Sequence, residues 1–149
     1  ASLMTRYTSG IAESRYAILA MNLQGGGGFE IWQYTSKEPV ASNQKPLLGD
    51  TGVFAAKLKS SDVNKAYEFL KSKNVNIKTQ PSESPDGRLH FYVEDPYGNL
   101  FEIVESGNWF KRKSFPNGGV SGVTIGVTDM DQSIALYKDI LGHQCVAYD

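Results

Sequence analysis

The chain of 149 residues is poor in cysteine, in histidine and in net charge, and each shortage excludes something. A single cysteine, Cys145, cannot form an internal disulfide framework, so a small stapled scaffold is ruled out. No run of about 18 apolar residues occurs, which leaves no membrane-spanning helix to expect. Fifteen basic residues offset 16 acidic ones for a formal charge of -1. That balance supplies no field to attract nucleic acid or an anionic membrane surface. The expected partner is therefore a small molecule, with no nucleic acid and no membrane. The expected compartment is the reducing cytoplasm. What is present, 40% hydrophobic and 11% aromatic residues, is enough for one domain over residues 1–149.

Short β-prone runs recur at residues 16–23, 29–34, 53–59, 75–79, 89–94, 100–105, 120–127 and 144–148, each ended by Gly, Pro, Asn or Asp. Two segments have helical period instead. Ser61 or Asp62 can cap the first, where Val63, Ala66, Tyr67 and Leu70 share a face. Asp129 precedes the second, with Met130, Ser133, Ile134, Tyr137 and Leu141 in period and Gly142 to end it. His143 then meets the last helical carbonyls, and Cys145 reads as a core strand residue. The run "GGGG" at residues 25–28 lacks the Lys-Ser/Thr ending of a phosphate loop and reads as a mobile hairpin connection.

The pattern repeats. "GVFAAKLKSSDVNKAYEFLKSKNV" resembles "SGVTIGVTDMDQSIALYKDILGHQ" when the two are offset so that Asp62 matches Asp129, and "GGGGFEIWQ" aligns with "YGNLFEIVE", matching Glu30 to Glu102. The unit is strand, helix and three strands. One complete copy covers about residues 51–106, and partial copies cover residues 1–36 and 120–149. The flanking pieces together amount to one more unit. The chain is either an excerpt of a longer repeat protein or a rearranged two-unit domain, completed within one molecule or by exchange between two.

This arrangement, with the closing segment "DPYGNLFEIVE" and the opening segment "TDMDQSIALYKDILG", resembles the vicinal oxygen chelate superfamily of glyoxalases, bleomycin resistance proteins and extradiol dioxygenases. The resemblance implies an α+β fold in which paired βαβββ units form curved mixed sheets around a cleft, with helices on the outer faces. It further implies a homodimer or a strand-exchanged assembly, and a metal ligand set of first-strand histidines with last-strand glutamates. Glu30 and Glu102 match those glutamates, as metal ligands or as catalytic proton-transfer bases. Ala55 and Gly122 stand where the histidines belong, so either one divalent ion is held by the two carboxylates and water, with His90 as the only substitute imidazole ligand, or none is bound.

Strand alternation puts Phe101 and Ile103 on one face of their strand and Glu102 on the other, toward the cleft. The same alternation gathers Trp32 and Tyr34 with Glu30, Lys57 with Ala55, and Tyr92 with His90, as substrate-binding candidates. A buried carboxylate without a metal needs a positive or hydrogen-bonding partner, and Lys57 can supply one. Two functions follow. One is a metal-assisted lyase or dioxygenase acting on a small oxygen-bearing metabolite. The alternative is a metal-free protein that binds or sequesters a small molecule, like the bleomycin resistance proteins. A third reading makes the chain a structural segment of a larger repeat protein.

Overall fold

Local chemistry sets the element boundaries. A computed structural model describes residues 2–111 and 114–143, so the strand expected over 144–148, and Cys145 with it, lies outside the described residues. After a 3-10 turn at Ser2–Tyr7 come β1 (Arg15–Met21), β2 (Gly28–Tyr34), β3 (Gly52–Ser60), α1 (Val63–Ser72), β4 (Asn76–Ile77) and β5 (Ser82–Glu83). Then follow β6 (Leu89–Glu94), β7 (Leu100–Glu105), β8 (Asn117–Gly126) and α2 (Met130–Ile134), which continues as a π-helical segment, Ala135–Ile140. β1 and β2 form a separate antiparallel hairpin, and the other strands make a six-stranded mixed sheet in the order β4-β6-β7-β3-β8, with β5 on β6. Within it β3 runs parallel to β7 and antiparallel to β8. The α+β architecture expected from the sequence is thus present. The strand expected over 75–79 shrinks to β4, and β5 adds a second short ladder on the same side of β6.

α1 forms because Asp62 caps it, its Oδ1 accepting the Lys65 backbone N–H at 3.0 Å, and because its apolar stripe has a sheet to cover. Val63, Ala66 and Tyr67 pack on Phe91 and Val93 of β6 and Ile103 of β7, with the Tyr67 ring edge-on to Phe91 at 5.4 Å. Asn74, at φ 57°, turns the chain out of the helix. α2 carries the same cap, Asp129 accepting the Gln132 N–H at 2.9 Å, yet Met130 and Ile134 are 64% and 48% exposed. Its helical period also widens beyond Ile134, where a regular helix is expected. Gly142, at φ 76°, ends it, and the His143 backbone N–H donates to the Tyr137 carbonyl at 2.9 Å.

The glycine run is packed, contrary to the mobile connection expected. Gly25 is buried, and a Cβ built there would lie 2.6 Å from the Gly118 Cα, while one built on Gly119 would lie 1.5 Å from the Gly26 carbonyl oxygen. The end of the hairpin thus meets the start of β8 backbone to backbone. Lys59 Nζ donates to the Gly25 carbonyl at 2.7 Å and to that of Asn108 at 3.2 Å.

The turn between β6 and β7 is organised by Asp95, which accepts the backbone N–H groups of Tyr97 at 2.8 Å and Asn99 at 2.9 Å and the Asn99 side chain at 2.8 Å. Burial alone would raise this carboxyl, but the Asn99 side chain and the turn amides outweigh it and hold the pKa below the usual carboxylate value. The ionised form is therefore favoured by folding. Its contribution is complete above the unfolded pKa and disappears as pH falls through the lower folded value. Asp95→Asn should cost about 1 kcal/mol at about pH 7, and the difference from wild type should narrow at about pH 3 in urea unfolding. A difference that stays constant with pH would show that the charge is not what the turn uses.

Candidate functional site

The alternation of β7 sends Ile103 into the α1-facing core and Glu102 to the opposite face, where it is only 2% exposed. Its neighbours are set by register. Lys57 of β3 lies opposite Glu102 on one side and Tyr92 of β6 on the other, so all three side chains share a face. Lys57 Nζ stands 3.0 Å from Glu102 Oε2, and His90 Nδ1 stands 2.8 Å from Oε1. The lysine approaches as an ion pair and not along a hydrogen-bond direction, so Oε2 keeps lone-pair capacity. The His90 ring is edge-on to Tyr92 at 5.5 Å.

An ionised carboxylate can only accept, so the Glu102 contact requires His90 to carry its proton on Nδ1. In the neutral ring Nε2 then carries the lone pair and can take a proton or a hydrogen bond from a ligand. Arg88, one alternation before His90, forms an ion pair with Asp86 and its Nε donates to Asp86 Oδ2 at 2.8 Å. That hydrogen bond, opposed by burial and aided by the charges of Asp86, Glu102 and Glu105, keeps the guanidinium more firmly protonated than usual. Arg88 and Ser84 in turn hold the Asp86 carboxyl well below the usual range.

Among the described residues the donor set around Glu102 does not fit a divalent metal. Ala55 and Gly122 offer no ligand atom, and the carboxylate that would coordinate is already engaged by an ammonium and an imidazole N–H. Among the described residues no group of three or more His, Cys, Asp or Glu side chains is arranged to hold an ion. The fold therefore brings Lys57, His90, Tyr92 and Glu102 together and leaves the other candidates apart. Glu30 is exposed on β2, opposite Leu19 in the separate hairpin. Trp32 is 38% exposed under the Arg15 guanidinium, 4.0 Å from its ring centroid, and Tyr34 lies near the Lys37 ammonium at 4.8 Å. Repetition assigned Glu30 a position within a unit, but β2 pairs with β1 alone, so its face is not the face of Glu102.

Arg88 and Ser60 were not singled out from the sequence. The signal for Arg88 was present, since it shares the alternation of His90 and Tyr92. Ser60 is fully buried, its Oγ donating to the Pro116 carbonyl at 3.1 Å and accepting the Asp62 N–H at 3.2 Å, a contact that no local pattern announces.

The sequence model of the Glyoxalase/Bleomycin resistance protein/Dioxygenase superfamily matches residues 11–103, from the hairpin through β7. The chain belongs to that superfamily. Among solved structures, one of a Bacillus subtilis protein provisionally designated a dioxygenase aligns at TM-score 0.60 and 19% identity, over 92% of this chain and 44% of that one. The chain thus spans less than half the length of that relative, and the likeness concerns the fold. A superfamily member from Sphaerobacter thermophilus aligns at TM-score 0.39 and 17% identity, over 70% of this chain and 86% of that one. No curated protein matches the sequence. Among the described residues no helix is long and apolar enough to cross a membrane.

Proposed function

We propose that this superfamily member binds a small oxygen-bearing metabolite without a metal, using the face that carries Lys57, His90, Tyr92 and Glu102. The observation that carries this reading is the occupation of Glu102 by Lys57 at 3.0 Å and by His90 at 2.8 Å. The lysine supplies the positive charge that a metal ion would otherwise bring to the carboxylate. A ligand carbonyl or hydroxyl oxygen can accept from the Lys57 ammonium, which is partly open to solvent. A ligand hydroxyl can donate to His90 Nε2, and the Tyr92 ring offers an apolar wall.

The Glu102–His90 contact favours a second reading, in which the site also moves a proton. A carboxylate-held imidazole presents Nε2 in one fixed direction, and a proton taken there leaves an oxyanion beside Lys57. Both readings predict indifference to divalent ions. A melting screen with about 1 mM Mg2+, Mn2+, Ni2+ or Zn2+ should leave the melting temperature unchanged, because an ion that binds only the folded state must raise it. A rise of several degrees, lost in Glu102→Gln, would replace this reading with a metal-assisted one.

A further inference from the structure

Away from the Glu102 face, a cleft of about 390 Å³ lies where the end of the β1–β2 hairpin meets α1 and the start of β8. Its lining divides into two chemistries. Met21, Leu23, Phe69 and Phe115 are apolar, with the Phe69 and Phe115 rings edge-on at 6.1 Å, while Asn22, Gln24 and Asn117 are carboxamides. Among the described residues no charged side chain lines it. Most polar atoms of the carboxamides are already committed. Asn22 Oδ1 accepts the backbone N–H groups of Gln24 at 3.0 Å and Gly25 at 2.8 Å, and Gln24 Nε2 donates to the carbonyls of Phe115 and Asn117. Those contacts fix which end of the Gln24 amide is oxygen.

Two acceptors remain. Gln24 is 4% exposed, and its Oε1 and the Asn117 Oδ1 are buried without a donor among the described residues. A buried acceptor left unpaired is destabilising, so each oxygen will take a donor that reaches it. Neither oxygen is open to water in the resting cleft, and a ligand must displace part of the wall to reach them. Met21 is the wall element suited to move, an unbranched thioether with several accessible rotamers.

We infer that this cleft is a binding site for a neutral aromatic molecule that carries an N–H or O–H donor, such as an aryl carboxamide. The aromatic body fits against Phe69, Phe115 and the Met21 sulfur. The donor satisfies Gln24 Oε1 or Asn117 Oδ1. A neutral ligand suits walls that hold no countercharge among the described residues, whereas an anion would face two bare carbonyl oxygens. The inference is independent of the Glu102 site, which shares no residue with this cleft.

Methionine-methyl 13C labelling tests it directly, because the chain has three methionines, Met4, Met21 and Met130, and only Met21 lines the cleft. Titration with benzamide should move the Met21 signal saturably, with a Kd on the order of 1 mM for so small a ligand, and leave Met4 and Met130 in place. Acetophenone has nearly the same shape and no donor, and should bind about tenfold more weakly. Asn117→Asp, which keeps an acceptor, should retain more of the benzamide response than Asn117→Leu. Equal binding of the two probes would overturn the inference in favour of a greasy crevice. A Met21 signal unmoved by about 20 mM benzamide would overturn it outright, and that readout in the wild-type protein stands even if the variants fail to fold.

Discussion

Lys57→Met is expected to lower the unfolding free energy by about 3 kcal/mol. The reason lies in the asymmetry of the pair. Glu102 is 2% exposed, so without the ammonium 3.0 Å away its charge keeps the His90 contact and the more distant Arg88 charge while remaining cut off from water. Lys57 itself, with its side chain 27% exposed, can recover solvation if its partner is removed. Glu102→Gln should therefore cost less than Lys57→Met, because it removes the buried charge along with the pairing. The double variant should recover most of the Lys57→Met loss, giving a coupling of about 2 kcal/mol in a double-mutant cycle followed by urea unfolding. A Lys57→Met cost below about 0.5 kcal/mol would mean that the pair behaves as an exposed surface ion pair, and the proposed metal-free site would lose its central support.

Gly119→Ala should be the most disruptive of the small substitutions, at about 2 kcal/mol or more. The added methyl group would lie 1.5 Å from the Gly26 carbonyl oxygen, and backbone cannot swing aside as a side chain can. The hairpin must then lift from β8, taking Gly25 away from the Lys59 ammonium. Gly122→Ala is the control, since a Cβ there meets nothing within 4 Å in the same strand. Limited proteolysis should cut the chain near residues 22–27 faster in Gly119→Ala than in Gly122→Ala, with a matching fall in melting temperature. Similar behaviour in the two variants would show that hairpin docking does not depend on the close glycine contact.

The parts of this structure legible in the sequence are those governed by local period. α1 followed from the Asp62 cap and the stripe Val63, Ala66 and Tyr67, and β7 followed from a turn signal and the alternation of Phe101 and Ile103. Alternation also put Lys57, His90 and Tyr92 on the face they occupy. Glu102 was conspicuous as the one residue in its run that packing does not require. What remained hidden depends on which segments meet. The same cap and stripe in α2 gave a helix, but nothing local reveals that none of its residues is buried. The match of Glu30 to Glu102 in the repeat alignment was a poor guide to location, because β2 forms its ladder with β1 and not with β8. The glycine contact between the hairpin and β8 escaped for the same reason, since backbone approach leaves no periodic trace.

The parallel pairing of β3 with β7 has a consequence for the order in which the protein acquires its chemistry. Lys57 and Glu102 meet only after the chain has closed a loop that holds α1, β4, β5 and β6. Closing such a loop costs entropy that the ion pair cannot offset until the strands are already in register. His90 and Glu102, on the antiparallel neighbours β6 and β7, meet through a much shorter connection. A partly folded chain can thus bring the imidazole to the carboxylate before the lysine arrives. The complete charge arrangement belongs only to molecules whose central sheet is whole, which would make the proposed ligand recognition at this face a property of the finished fold and not of its intermediates.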